Sequence, residues 1–201
     1  MYDWRRMSER ERRAAFGARL ATHRPWHGPP HELKHEYTYH LSAACYEHAP
    51  LIGASPARLA ECEAELLETL KTCCERVHAW CLLPNHYHAL VDTLDLDATL
   101  RLIGQFHGRT SFRWNGEEGS RGRHVWHRCA DRAIRTERHY WAAMNYIHHN
   151  PVHHLYVTRW EDWPFTSARE FLARVGRAEA RRLWRAYPLL EFGAGWDDPG
   201  M

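Results

Sequence analysis

The sequence has almost no lysine, no long apolar run and no paired-cysteine motif. Lys34 and Lys71 are the only lysines among 27 basic residues, so arginine carries the positive charge. The planar guanidinium of arginine can bond two phosphate oxygens at once. No stretch approaches the ~18 apolar residues of a membrane helix, and no apolar segment follows the charged first residues as in a secretory signal. We therefore expect a cytoplasmic protein that does not insert into a membrane.

The cysteines do not form a recognisable framework. None of the 6 is spaced as C-x-x-C, so neither a zinc knuckle nor a set of disulfides is expected. The adjacent Cys73 and Cys74 fall within a predicted helix, where neighbouring side chains point in different directions. We expect reduced thiols without a role in the chemistry.

Composition and charge indicate one globular domain with a basic side. The chain has 201 residues, of which 44% are hydrophobic and 26% charged, and its formal net charge is only +2. These values are typical of a folded domain and do not by themselves indicate nucleic-acid binding. Between Arg101 and Arg135, however, arginines far outnumber acidic residues, whereas the predicted helix that starts at Pro56 is acidic. Such asymmetry is typical of proteins that bind a phosphate backbone.

Six residues of this basic region are predicted to contact nucleic acid. They are Arg109, Arg113, Trp126, Arg128, Arg132 and Arg135. Trp114, Trp126 and His127 are interleaved with the arginines and could stack on unpaired bases. The same pattern is also typical of a solvated charged face with tryptophans anchored in the core, and the sequence leaves both interpretations open.

Hydrophobic periodicity predicts the element order β-α-β-β-α-β-α in the central part of the chain. The predicted strands cover residues 37–45, 78–83, 86–93 and 125–134, and the predicted helices begin at Pro56, at Asp97 and after Thr136, the last ending near His149 before Asn150-Pro151. This order is that of a split βαβ, ferredoxin-like antiparallel sheet with helices on one face, an α+β fold. A basic N-terminal arm, residues 1–35 with a helix over 9–21, precedes it. An irregular tail with one helix over 168–185 follows.

The segment from Leu83 to Val91 carries two histidines in alternation. Side chains alternate along a strand, so His86 and His88 project from one face of the sheet, and Tyr87 projects from the other, helix-covered face. Two imidazoles about 7 Å apart can hold one metal ion between them. An H-x-H pattern alone is equally typical of two exposed histidines on an open sheet face.

A second pair of polar residues lies on the helix after Thr136. Tyr146 and Asn150 are four residues apart and share one helical face, while Tyr140, Met144 and Ile147 form the apolar stripe expected to pack on the sheet. Taken alone, Tyr146 is equally a half-buried core tyrosine and Asn150 a helix C-cap before proline.

Together the two pairs favour phosphoryl transfer. A tyrosine hydroxyl, with a pKa of about 10, is a poor nucleophile unless its target is activated. A divalent cation on His86 and His88, with Asn150 as an oxygen ligand, would polarise a phosphodiester and offset charge in the transition state. The product of attack by Tyr146 would be a phosphotyrosine, which conserves the bond energy and permits rejoining.

Several segments in this order resemble the HUH-type single-tyrosine transposases, and more narrowly the REP-associated tyrosine transposases. The segments are Pro84-Asn85-His86-Tyr87-His88, Val125-Trp126-His127-Arg128, Ile134-Arg135, Tyr146 to Val152, Asp162 to Ser167 and Phe192 to Asp197. The resemblance covers residues 37–196, and the ordered set is far more specific than any one motif. The N-terminal arm is not part of it.

The resemblance implies an HUH transposase catalytic domain over residues 36–165 and a C-terminal helix and tail over 166–201. The family's metal-binding histidines fall on His86 and His88 and its nucleophile on Tyr146, and Asn150 stands where insertion-sequence relatives often have glutamine. Family members are bacterial, use Mg²⁺ or Mn²⁺, and cleave and rejoin single-stranded DNA at REP-like hairpins, as monomers or homodimers. The aromatic Tyr87 replaces a residue that is usually aliphatic.

Two other functions remain open at this stage. One is a domesticated, non-catalytic nucleic-acid-binding protein, because ferredoxin-like sheets also serve RNA-binding modules. The other is a metal-dependent hydrolase in which the two histidines activate water and Tyr146 is structural. A covalent protein–DNA adduct distinguishes the transposase from both.

Overall fold

The computed structural model describes Ser8 and residues 37–189. Its strands are β1 (Thr38–Ala44), β2 (Arg76–Leu82), β3 (His86–Asp92) and β4 (Ala130–Ala133), and its helices are α1 (Pro56–Cys73), α2 (Leu96–Glu117), α3 (Glu137–His153), α4 (Ala168–Val175) and α5 (Arg177–Ala186). The predicted N-terminal arm and its helix lie outside the described residues.

The four strands form one antiparallel sheet in the order β2-β3-β1-β4. This is the strand order of a ferredoxin-like split βαβ fold, so the predicted fold class is confirmed. In the central pair, Ala44 lies opposite His86 and Ser42 opposite His88. On the other edge of β1, His40 lies opposite Arg132. The register therefore places residues from three strands on one face of the sheet.

One face of the sheet is covered by α1 and α2. Helix α1 begins at Pro56 because the Ser55 side chain caps its first turn and proline fits that turn. The side chains of Tyr87, Ala89 and Val91 are buried against these helices, as strand alternation predicts. This face is the first hydrophobic core.

The opposite face is covered by α3, so the prediction that helices lie on one face only is wrong. Ala143, Met144 and Ile147 of α3 form a second core with Cys81 and Leu90 of the sheet. Strands β2 and β3 therefore carry enough apolar surface on this face to bury a helix. Helices α4 and α5 pack against the same core from outside.

Two helix boundaries differ from the predicted ones. Helix α3 continues past Pro151 to His153, because a proline in the last turn removes only one backbone hydrogen bond. The helix predicted over 168–185 is broken into α4 and α5 at Gly176, whose φ of 80° is readily adopted only by glycine. Strand β4 is shorter than predicted, and Trp126 contributes only an isolated bridge to Cys45.

The two adjacent cysteines also depart from expectation. Cys74 is the C-cap of α1 and adopts an extended conformation, so it does not continue the helix. Its sulfur consequently lies 3.8 Å from that of Cys73, and the prediction that the two side chains diverge is wrong. None of the described helices is both long and apolar enough to span a membrane.

Candidate active site

Strand β3 places His86 and His88 side by side on the face that α3 covers. The centroids of the two rings are 5.1 Å apart. Both side chains are buried, at 2% and 1% exposure, so the interpretation as exposed histidines on an open sheet face is wrong. A histidine pair enclosed in this way has to be satisfied by other polar groups or by a ligand.

Helix α3 brings its predicted polar pair against the histidines. The Tyr146 ring lies edge-on to His88, with centroids 5.1 Å apart. The Asn150 side-chain oxygen lies 2.9 Å from Nε2 of His86. Asn150 is fully buried and the C-cap of α3 is His154, so Asn150 is not a helix cap. The structure thus brings together all four side chains that the sequence singled out for the chemistry.

The ring of His86 is oriented by the preceding residue. The Asn85 amide nitrogen donates to the His48 carbonyl at 3.2 Å, which fixes the amide orientation. Its oxygen then faces Nδ1 of His86 at 2.8 Å, so Nδ1 donates to this oxygen and the ring directs Nε2 toward Asn150. A carbonyl-type oxygen beside a histidine nitrogen is the usual support behind a metal-bound imidazole.

Two further histidines belong to the site and were not predicted. His40 on β1 has its Nε2 atom 3.2 Å from Nδ1 of His88, and its ring also lies edge-on to Tyr146. His154, just after α3, packs edge-on against His86 at 4.8 Å. Only the sheet register and the length of α3 bring these residues here, so no local sequence pattern marks them.

A cation fits this donor set, although the set is small. Within the described residues, no three His, Cys, Asp or Glu side chains are grouped to hold a metal ion. The available donors are the imidazoles of His86 and His88 and the amide oxygen of Asn150. The Asn150 amide oxygen lies 2.9 Å from Nε2 of His86, and the Asn150 amide nitrogen is buried without a hydrogen-bond partner. A cation near the Asn150 oxygen and Nε2 of His86 would have an imidazole nitrogen and an amide oxygen as ligands.

Positive charge lies beside Tyr146. Burial lowers the pKa of Arg132, and the proximity of Tyr146 partly opposes this shift. Burial also lowers the pKa of His139 at the start of α3, and the positive charges of Arg132 and Arg135 lower it further. Arg132 therefore places positive charge near Tyr146, where a phosphate would bind.

The other predicted nucleic-acid contacts lie elsewhere. Arg109 and Arg113 are on α2, on the opposite side of the sheet, and Arg113 pairs with Glu65. Trp126 is 5% exposed and stacks on His107 with ring centroids 4.4 Å apart. Trp126 is thus a core residue and does not present its ring to a base.

Trp114 is also a core residue, whereas the three remaining arginines are exposed. Trp114 is fully buried in the first core. Arg128, Arg132 and Arg135 are exposed near the edge formed by β4. Of these three arginines, Arg132 is the one shown to lie close to Tyr146.

Comparison with known proteins supports the fold. No protein-family model and no curated protein matches this chain. The solved structure of a REP-associated tyrosine transposase bound to a REP hairpin is similar to it, with 22% sequence identity and a TM-score of 0.55 over 69% of this chain and 80% of that chain. The resemblance found in the sequence is confirmed at the level of the fold. This chain has the fold of a REP-associated tyrosine transposase.

Proposed function

We propose that this protein is a metal-dependent DNA strand transferase that cleaves and rejoins single-stranded DNA at hairpins through Tyr146. One observation carries the proposal: α3 holds Tyr146 and Asn150 against His86 and His88, which lie about sixty residues earlier in the chain. The similar structure is a tyrosine transposase bound to a REP hairpin, and a REP-like hairpin is accordingly the substrate we propose here.

The proposed reaction is an in-line displacement at phosphorus. The Tyr146 oxygen attacks the scissile phosphate as its proton leaves, and the bond from phosphorus to the departing nucleotide oxygen breaks. That oxygen gains a proton and becomes a free hydroxyl, while the other strand end stays on Tyr146 as a phosphodiester. Attack by a DNA hydroxyl on this linkage reverses the step and rejoins DNA without an external energy source.

The residues of this chain divide the supporting roles. His86, His88 and Asn150 would hold Mg²⁺ or Mn²⁺, which when bound polarises the phosphodiester and offsets its developing charge. Asn85 orients His86, and His40 orients His88. The guanidinium of Arg132 adds positive charge beside Tyr146.

The burial of the nucleophile sets a condition on this reaction. Tyr146 is only 4% exposed, so we expect neighbouring groups to shift before a phosphodiester reaches its hydroxyl. Motions of this kind accompany substrate binding in many enzymes.

A metal-dependent hydrolase is the second candidate, and the surroundings of two tyrosines on α3 argue against it. Tyr140 has its hydroxyl 3.1 Å from Nδ1 of His78 and packs as a structural residue. Tyr146 instead lies against the His86–His88 pair. A water nucleophile would require neither this placement nor a covalent product.

The test is a cleavage reaction on labelled hairpins. The purified protein is incubated with 5′- or 3′-labelled single-stranded hairpins from DNA flanking its gene, with Mn²⁺ or EDTA, and analysed on a denaturing gel. We expect a Mn²⁺-dependent band shifted by the mass of the protein, absent with Tyr146→Phe and His86→Ala. Tyr140→Phe is the matched control, since it makes the same change on the same helix but next to His78 rather than His86 and His88, and it should retain the adduct.

Each alternative has its own outcome. Cleavage without an adduct, retained in Tyr146→Phe, would establish the hydrolase. Binding without cleavage of any hairpin would indicate the non-catalytic DNA-binding protein. The label that stays with the protein identifies which strand end is attached to Tyr146.

A further inference from the structure

A cluster of accessible aromatic rings lies at the end of β1 and is separate from the buried histidines. It consists of Tyr46, His48, His124 and His127, which we call the stacking platform. Tyr46 is 39% exposed and stacks on His124 with centroids 4.6 Å apart and planes 29° apart. His127 lies 5.0 Å from Tyr46 and 6.5 Å from His48. None of these four side chains belongs to either hydrophobic core.

The geometry leaves room on Tyr46 for another ring. The His124 and His127 centroids are 6.4 Å apart, so, together with their distances from Tyr46, they subtend roughly a right angle at its centroid. They therefore do not sandwich the tyrosine between them. Among the described residues, no other ring contacts Tyr46, and its 39% exposure leaves part of the ring accessible to a flat group.

The platform adjoins the turn that carries the candidate metal ligand His86. Ala44, two residues before Tyr46, lies opposite His86 in the sheet. The Cys45 amide donates to the Asn85 carbonyl at 2.7 Å, and the Asn85 side chain donates to the carbonyl of His48. A nucleotide stacked on Tyr46 would thus lie a short distance along a DNA strand from a phosphate at the histidines.

The backbone beneath the platform is strained. Glu47 and His48 have φ values of 53° and 52°, a left-handed conformation that is costly for residues other than glycine and rare in succession. Strain of this kind concentrates at functional sites, where it holds groups in place. Here the turn carries the His48 carbonyl that accepts from the Asn85 amide at 3.2 Å.

We propose that the stacking platform binds an unpaired base of single-stranded DNA beside the scissile phosphate. This inference rests on the proposed function and adds a site to it. Stacking on an aromatic ring suits any base, because every base has a π-face. Arg128, which follows His127 in the chain, is exposed, so its guanidinium can contact the phosphate of the stacked nucleotide. The buried Trp114 and Trp126 cannot take this role.

The experiment measures binding without cleavage. Full-length protein carrying Tyr146→Phe is titrated in EDTA, by fluorescence anisotropy, with a hairpin that has a short unpaired flank and with the same hairpin trimmed to a blunt end. Adding Tyr46→Leu should weaken binding to the flanked hairpin about 10- to 100-fold and leave the blunt one unchanged. Tyr46→Phe should restore binding, because it keeps the ring.

Two further controls separate stacking from general disruption. Tyr156 is 44% exposed and lies against Trp163, so Tyr156→Leu removes an equally exposed aromatic ring and should change neither affinity. A 2-aminopurine base in the flank should be quenched on binding, and Tyr46→Leu should abolish this quenching. Thermal unfolding verifies that each variant is folded.

The outcomes distinguish failure of the stacking platform from failure of the proposed strand-transferase function. Unchanged affinity of Tyr46→Leu for the flanked hairpin overturns the platform while leaving the strand transferase intact. Equal loss on both hairpins also overturns it, because Tyr46 would then contact the stem. If the Tyr146→Phe protein binds neither hairpin, the proposed function is wrong, and the platform that rests on it is wrong too.

Discussion

The two faces of the sheet bury very different side chains from the same strand. On one face, Tyr87 and Val91 of β3 pack with α1 and α2 in an apolar core. On the other, His86 and His88 meet Asn150, Tyr146 and other histidines. Both faces are equally closed to solvent, so burial alone does not separate them.

The two faces differ in how much the burial of their side chains contributes to the stability of the fold. Removing apolar surface from water stabilises the first face by about 25 cal/mol for each Å². Burying imidazoles and amides on the second face gains little, because each hydrogen bond there replaces one to water and any unpaired group is costly. The first face therefore contributes stability along the whole of β3, whereas the second face combines an apolar core with a polar group of side chains that contributes little.

The largest expected effect is on the stability of the apolar face. Phe106 of α2 is fully buried in the first core, so Phe106→Ala should lower the free energy of unfolding by about 3–5 kcal/mol. Urea unfolding measures the change. Leu94→Ala removes a leucine that is 66% exposed and should change stability by less than ~0.5 kcal/mol. Comparable effects of the two substitutions would show that the first core does not dominate stability.

Substitutions of the neighbouring β3 residues His88 and Tyr87 test most directly whether the two faces of the sheet have different roles. His88→Ala should reduce covalent adduct formation at least ~100-fold, as removing one preorganised electrostatic group typically does. Tyr87→Phe should leave the adduct unchanged but lower the free energy of unfolding by about 1–3 kcal/mol, because the Tyr87 hydroxyl lies 3.1 Å from Nε2 of His107 inside the core. Both quantities are measured on the same preparations. A folded Tyr87→Phe protein that fails to form the adduct would contradict the division between the faces.

Local patterns predicted the parts of the site that lie close together in sequence. Strand alternation separated His86 and His88 from Tyr87, and helical spacing paired Tyr146 with Asn150. Both relations hold in the structure. These patterns depend only on backbone geometry within one element, which the sequence determines directly.

The parts that the sequence did not predict depend on contacts between distant elements. His40 reaches His88 through the register of β1 with β3. Trp126 is interleaved with arginines in the sequence but is buried by its stacking on His107 of α2. Tyr46 is exposed and precedes a left-handed turn at two residues that are not glycine, and no turn signal in the sequence marks that position.

Acid should weaken both cores through buried histidines. Burial lowers the pKa of His107 to about 4 and that of His148 to about 3. Their ordinary value in the unfolded chain is about 6.5, so between these values the unfolded state binds more protons than the folded state. Stability is therefore complete above pH 6.5 and falls as the pH drops toward 4. Each histidine should contribute a loss of about 2 kcal/mol between pH 7 and 5.

Urea unfolding at a series of pH values measures this dependence. His148 lies among Trp160, Phe171 and Trp184, so a phenyl ring fits its surroundings. His148→Phe should reduce the loss between pH 7 and 5 by about 2 kcal/mol. The lost contact with the Ser167 hydroxyl shifts stability equally at every pH and does not affect the slope. An unchanged slope would show that His148 does not titrate on unfolding in this range.

The smallest expected effect tests whether the left-handed turn at Glu47 and His48 stores backbone strain. The left-handed conformation of Glu47 costs roughly 1–2 kcal/mol, and glycine relieves it while losing about 0.5–1 kcal/mol more backbone entropy on folding. Glu47→Gly should therefore raise the free energy of unfolding by about 0.5 kcal/mol. Adduct formation should fall, because a looser turn holds the His48 carbonyl less firmly against Asn85. Glu47→Ala removes the same charge without relieving the strain, so it should not gain stability. If alanine stabilises as much as glycine, the charge of Glu47 rather than its backbone is the source of the cost.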